Sequence, residues 1–140
     1  MASIPFDRSE HVSLSWAVIE ERLGVPVVVP ALPGINVVPR MLVDGFVLLC
    51  HVIDGEGELV ANWSLSASTT GSADPVAEPP RPEHAAQGVR TVNGSTDRTA
   101  ICSAGNLSVD ELTELVRSAI PAPRTTIAHR VRVLSHRQLA

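Results

Sequence analysis

Apolar residues recur at the helical period in two stretches of the chain, one towards each end. The first stretch predicts a helix over residues 9–23, in which Ser9 caps the start and Gly24 ends it. The second predicts a helix over residues 109–120 that begins with a capping box, Ser108-Val-Asp-Glu111. The apolar stripes behind these predictions are Val12, Trp16, Ile19 and Leu23 in the first helix, and Val109, Leu112, Leu115, Val116 and Ile120 in the second.

A continuous apolar run, residues 46–53, is the strongest strand signal between the two helices. It shows almost no alternation, so both of its faces are predicted to be covered. Asp44-Gly45 before the run and residues 54–57 after it are turn signals. They predict that residues 40–43 and 58–66 pair with the central strand as two successive hairpins.

The remaining segments predict shorter strands and one long loop. Residues 27–29 lie between prolines and favour a short edge strand. Residues 90–95 and 98–103 favour a further pair of strands, joined by a turn. Residues 67–88 are rich in proline and small polar residues and are predicted to be an exposed loop. Apolar residues and arginines alternate over residues 127–133, which predicts an amphipathic strand at the edge of a sheet.

These elements predict an α+β fold for a chain of 140 residues. The expected architecture is an antiparallel sheet of four to six strands, with the helices at about 9–23 and 109–120 packed on it. Residues 1–120 are expected to form one domain with the exposed loop 67–88, followed by a basic segment, 121–140, as an edge strand. Helices on one side leave the other sheet face to solvent, to a partner or to a ligand.

Charge changes sign along the chain. All fifteen acidic residues lie at or before Glu114, whereas five of the eleven cationic residues, all arginines, follow it. The guanidinium group makes bidentate bonds to carboxylate or phosphate, so this terminus is a candidate interaction segment. The candidate partner-binding residues are Arg124, Arg130, Arg132 and Arg137. The partner is expected to be another protein or a second copy, while pairing with the chain's own acids stays an alternative.

Nucleic acid is a less favoured partner, because the body of the chain is acidic and few aromatic residues accompany the arginines. The first ten residues lack the basic and apolar regions of a signal peptide, and no stretch approaches the ~20 apolar residues of a membrane span. If the chain is complete, it is therefore expected in the cytoplasm.

Catalytic and metal-binding motifs are not evident in the sequence. Cys50 and His51 are neighbours in a predicted strand, so their side chains would point to opposite faces and could not act together. The histidines and cysteines lack metal-ligand spacing, and no cofactor motif is present. A non-enzymatic protein is favoured, and an enzyme that uses Cys50 or Cys102 stays open. Reduced cysteines are favoured over a disulfide between the two.

The order of three segments resembles a known kind of domain. Residues 23–30, Leu-Gly-Val-Pro-Val-Val-Val-Pro, lead through Leu32-Pro-Gly34 into the strands, and residues 105–114 open the last helix. This order is similar to that of small α+β domains at the extracytoplasmic end of some bacterial anti-sigma factors and lipoproteins, relatives of lipoprotein-carrier domains. Over residues 15–120, the resemblance implies a non-catalytic sensing or protein-binding module.

Two functions therefore follow from the sequence as hypotheses. The first is a non-enzymatic interaction or regulatory module, which acts through the sheet face and the basic C-terminal edge, with homodimerisation as one option. The second is a carrier or sensor of a small apolar ligand held between sheet and helices. Trp16 and Trp63 are its candidate wall residues, and their alternative role is ordinary core packing.

Overall fold

The computed structural model describes residues 10–79, 82 and 87–135. These residues form two helices, α1 (Trp16–Leu23) and α2 (Val109–Arg117). They also form ten strands: β1 (Glu10–Leu14), β2 (Val28–Val29), β3 (Asn36–Val43), β4 (Val47–Ile53), β5 (Leu59–Ala67), β6 (Ala73–Ala77), β7 (Arg90–Ser95), β8 (Thr99–Gly105), β9 (Ile120–Pro121) and β10 (His129–Leu134). The α+β class is confirmed.

Eight of the strands form one sheet, in the order β1-β10-β3-β4-β5-β8-β7-β6, while β2 and β9 form a separate ribbon. Neighbours in the large sheet are antiparallel, except for the parallel pair β10 and β3. The prediction of four to six strands is wrong. The two strands in excess of six, β1 and β6, come from segments predicted as a helix and as a loop.

The predicted helix over residues 9–23 is wrong in its first half. Residues 10–14 form β1, in which Val12 lies opposite Val131 of β10. The helix begins only at Trp16, because the hydroxyl of Ser15 accepts a hydrogen bond from the Val18 amide at 3.4 Å and caps it. Val12 and Leu14 also alternate with polar residues, so the segment fits the two-residue period of a strand as well as the helical period. Hydrogen bonding to β10 then makes it a strand.

The predicted loop 67–88 is wrong at residues 73–77, which form β6 at the edge of the sheet beside β7. The register is irregular between Ala73 and Val76. Pro75 lies in this interval, and an edge strand tolerates proline because one side of it needs no hydrogen bond. Of the other loop residues, 80–81 and 83–86 lie outside the described residues.

The C-terminal segment predicted as an edge strand lies one strand inside the sheet. β10 sits between β1 and β3, with Arg132 opposite Met41 in the parallel pair. The edge is supplied by β1, which the sequence pattern had assigned to a helix. The preceding helix, predicted to reach residue 120, ends at Arg117, and Ile120 instead pairs with Val29 in the ribbon.

The capping box of α2 is confirmed. The amide of Glu111 donates to the Ser108 hydroxyl at 3.1 Å, and the amide of Ser108 donates to the Glu111 carboxylate at 3.2 Å. α1 packs against β1 and β3, while α2 packs against β6, β7 and β8. Both helices and the ribbon contribute to a single hydrophobic core on one side of the sheet. We call this side the covered face and the opposite side the open face.

Candidate functional site

The open face is defined by the residues that alternate with core positions on the central strands. On β4, Leu48, Cys50 and Val52 are buried against the helices, whereas Leu49 and His51 point the other way. Strand register then places the following side chains beside them on the open face: Arg130 and Arg132 of β10, Met41 of β3, Asn62 and Ser64 of β5, and Cys102 and Ala104 of β8.

A β-bulge in β3 adds Arg40 to this surface. Pro39 pairs with Cys50 and Met41 pairs with the next residue, Leu49, so Arg40 is the extra residue between them. An inner strand accommodates proline at a bulge, where a ladder hydrogen bond is missing in any case. As a result Arg40 is exposed on the surface of the sheet, while Leu42 returns to the covered face and is fully buried.

A hollow of about 290 Å³ lies at the centre of the open face, next to this bulge. Arg40 Nε donates a hydrogen bond to His51 Nδ1 at 3.1 Å across the strand pair. Burial, and secondarily the charge of Arg40, lower the pKa of His51, so the imidazole is neutral at pH 7. Because Nδ1 accepts, the proton of the neutral ring is on Nε2. The residues around the hollow are Arg40, Met41, Leu49, Cys50, His51, Asn62, Trp63, Ser64, Cys102 and Ala104.

The part of the open face from β10 to β5 is positive, whereas the Glu78 carboxylate reaches the face at β7, where it accepts a hydrogen bond from the Asn93 side chain at 2.6 Å. None of the six central strands β10, β3, β4, β5, β8 and β7 contains an aspartate or a glutamate. Within residues 10–79, 82 and 87–135, no carboxylate lies within ion-pair distance of Arg40 or Arg130. Arg40 and Arg130 therefore present guanidinium groups to the open face without an ion-pair partner among the described residues.

The four candidate arginines do not act as one group. Arg130 and Arg132 lie on the open face, two residues apart on β10. Arg124 instead pairs with Glu20 of α1 at 2.9 Å, which is the intramolecular alternative that the sequence left open. Arg137 lies outside the described residues. Sequence reasoning missed Arg40, and the signal that could have found it is the preceding Pro39 within a strand-like run.

The two tryptophans have different surroundings. The side chain of Trp63 is fully buried on the covered face, where its Nε1 donates to the Val28 carbonyl at 3.0 Å and fastens the ribbon to the sheet. Trp16 is 6% exposed, and its ring centroid lies 5.1 Å from that of His129. Trp16 also borders a groove of about 370 Å³ that includes the exposed side chains of Ile120 and Ile127.

Both cysteines are reduced, with no disulfide between them. Cys50 faces the core and Cys102 faces the open side, with β5 between their strands, so the two side chains do not meet. Burial raises the pKa of the Cys50 thiol far above its usual range, which keeps it protonated and unreactive. His51 lies on the other face from Cys50, as strand geometry predicts, so the pair has no nucleophile–base contact.

In the part of the chain that the structure describes, no three side chains of the metal-ligating types converge on a point. No helix within the same residues is long and apolar enough to cross a bilayer.

The resemblance to sensor domains of anti-sigma factors and lipoproteins stays a prediction. No family model, curated protein or solved structure matches this chain.

Proposed function

We propose that the protein is a non-catalytic interaction module that binds another protein surface through its open face. The observation that carries this proposal is the one-sided sheet. One face of the eight-stranded sheet packs against α1, α2 and the ribbon, and none of these described elements covers the other face. An antiparallel sheet commonly leaves one face to solvent, but here that face has an exposed apolar centre beside arginines, which is typical of a docking surface.

The area of the open face is close to the area that a specific interface buries. Seven gaps of ~4.8 Å between eight strands, and strands about 20 Å long, give a surface on the order of 700 Å². A standard protein–protein interface buries about 800 Å² on each partner. The sheet alone therefore approaches the required size, without a contribution from loops.

The composition of the face also suits an interface. Leu49, 36% exposed, and Met41 form an apolar centre, and arginine is a cation enriched at interfaces. Arg130 and Arg132 extend the cationic surface towards the β1 edge. Because no carboxylate among the described residues lies within ion-pair distance of Arg40 or Arg130, we expect the partner surface opposite them to be acidic, and its carboxylates would compensate the burial of these guanidinium groups.

A pair of matched variants tests the proposal. Leu49→Asp puts a charge at the centre of the open face, whereas Val18→Asp makes the same kind of change on the outer side of α1, at 40% exposure. Each immobilised protein is incubated with lysate of the source cell at about 0.1 M and 0.5 M salt. We expect a protein that binds wild type and Val18→Asp, is lost with Leu49→Asp, and weakens at high salt.

Analytical ultracentrifugation of the same three proteins shows whether that partner is a second copy. A dimer that dissociates in Leu49→Asp would identify it. A monomer, together with eluates that are the same for all three baits, would contradict the proposal. Nucleic acid as the only retained component would also contradict it. Two cysteines in the reduced state suit a reducing compartment, so the location we propose is the cytoplasm.

The Trp16 groove supports a second candidate function, the binding of a small apolar ligand. Ile120 and Ile127 are 50% and 64% exposed beside it, an unusual position for large aliphatic residues. The Trp63→Phe variant leaves Trp16 as the sole tryptophan. Quenching of its fluorescence by added short-chain lipids would support this function, and flat titrations would contradict it.

A further inference from the structure

We infer that the hollow at Arg40 is a carboxylate-binding site, which receives the acidic side chain of the docked partner. The inference deepens the proposed function and rests on it for the source of the carboxylate. It is carried by the arrangement of donors and apolar side chains around the hollow, which differs from the rest of the open face.

Three donor side chains converge on one edge of the hollow. Arg40 uses Nε for His51, which leaves its two terminal nitrogens for a ligand. His51 in turn has its Nε2–H available, since Nδ1 already accepts from Arg40. Asn62 lies directly opposite His51 on β5 and adds a side-chain amide. A carboxylate takes up to four hydrogen bonds, so it can use all three groups together.

The β-bulge makes this convergence possible. In a regular strand, successive side chains alternate, and Arg40 and Met41 could not both face the open side. The bulge places both there, with Arg40 against His51 and Met41 against Leu49. Bulges occur preferentially where a side chain is re-aimed at a functional site. The cation and the apolar floor of the hollow are thus supplied by consecutive residues.

The other side of the hollow has an apolar pair next to Arg40, which favours a carboxylate over phosphate. Met41 and Leu49 form this cross-strand pair, so the methylene groups of a glutamate side chain would pack there while its carboxylate meets Arg40. Phosphate has no apolar part to bury and carries nearly two charges against a single guanidinium. A cation in this position therefore recognises a singly charged group on a short aliphatic stem.

The size of the hollow points to a side chain rather than a whole metabolite. Its volume, about 290 Å³, lies at the lower limit of small-molecule pockets, which hold ~300–1,000 Å³. It is open to the face over which a partner would lie. Anchor residues of protein interfaces fill pockets of this kind near the centre of the contact.

Butyrate tests the inference, because it reproduces the aliphatic stem and carboxylate of glutamate. Full-length protein labelled with ¹⁵N is titrated with sodium butyrate, with uncharged butyramide and with inorganic phosphate. We expect saturable shifts of the Leu49, His51 and Asn62 amides with butyrate alone. Arg40→Gln should weaken binding about tenfold or more, since a charge-assisted bidentate contact is lost. Arg117→Gln, the same change on α2 and away from the open face, should alter it less than twofold.

Several results would overturn the site. These are equal shifts with butyramide, no saturable shift with butyrate, tighter binding of phosphate, or equal losses in Arg40→Gln and Arg117→Gln. Arg40 is exposed, so its variant should fold, and His51→Leu gives a second test with an expected loss of several fold. If a partner docks through Leu49 while butyrate leaves the hollow unshifted, only this inference fails. If butyrate binds and no protein docks, the proposed function fails and the ligand is not a partner's side chain.

Discussion

Two buried hydroxyl groups on β8 allow a paired prediction: removal of one hydroxyl should stabilise the protein, and removal of the other should destabilise it. Thr99 and Ser103 are both fully buried on the covered face. The Thr99 hydroxyl donates to the main-chain carbonyl of Pro26, at the entry to the ribbon. The Ser103 hydroxyl has no hydrogen-bond partner among the described residues. One hydroxyl thus contributes to stability, and the other carries an uncompensated cost.

The magnitudes follow from this difference. Ser103→Ala removes a buried hydroxyl whose lost hydration costs about 1–3 kcal/mol, offset in part by the contacts of one deleted atom. We expect a gain of about 1 kcal/mol in the free energy of unfolding. Thr99→Val keeps the shape of the side chain but leaves the Pro26 carbonyl unpaired, so we expect a loss of about 1–3 kcal/mol.

Urea unfolding followed by far-ultraviolet circular dichroism measures both changes, since the midpoint should move while the slope stays constant. Thermal midpoints should move by several degrees in opposite directions. A loss of stability in Ser103→Ala, similar to that in Thr99→Val, would refute the reasoning. It would show that the Ser103 hydroxyl is bonded in solution and that the covered face is not a dry core at this position.

Two further predictions concern titratable groups. In the native protein, iodoacetamide should label Cys102 before Cys50, whose thiol is buried and protonated, and Cys50 should react only on unfolding; equal native rates would contradict its burial. Burial and Arg40 lower the pKa of His51, and burial lowers that of His129, so below their ordinary pKa of 6.5 the unfolded chain takes up protons that the native state resists. The free energy of unfolding should therefore fall as the pH drops from 7 towards 5. NMR titration should place the His51 midpoint below 6.5, and the midpoint should rise in Arg40→Gln. An unchanged midpoint in that variant would show that Arg40 does not lower the pKa of His51.

Strong local signals predicted their elements correctly. The capping box at Ser108 and the apolar stripe behind it place the start of α2 where the structure has it. The Asp44-Gly45 signal lies in the turn between β3 and β4, where Gly45 adopts a φ of 70° that glycine tolerates without strain. In both cases the information sits within a few neighbouring residues, so no knowledge of the remaining chain is needed.

The segments predicted incorrectly depend on distant partners. Residues 10–14 become a strand because β10, more than a hundred residues later, lies beside them, and residues 73–77 because β7 offers a free edge. Each segment is five residues long, too short for the helical and strand periods to be told apart. The pairing of β1 with β10 also places β10 inside the sheet rather than at its edge. The wrong helix over residues 10–14 and the wrong edge position of β10 therefore have the same cause.

The candidate site could not have been predicted from the alternation of side chains between the two faces of a strand, because it lies at the β-bulge, where that alternation is interrupted. With Pro39 on the covered face, an unbroken strand would send Arg40 outwards, Met41 inwards and Leu42 outwards. The structure instead buries Leu42 completely and pairs Met41 with Leu49 on the open face. A shift of one residue moves every following side chain to the other face. The bulge therefore does two things at once. It keeps Leu42 in the core, and it sets Arg40 and Met41 side by side on the open face, where the first can meet a carboxylate and the second its aliphatic stem.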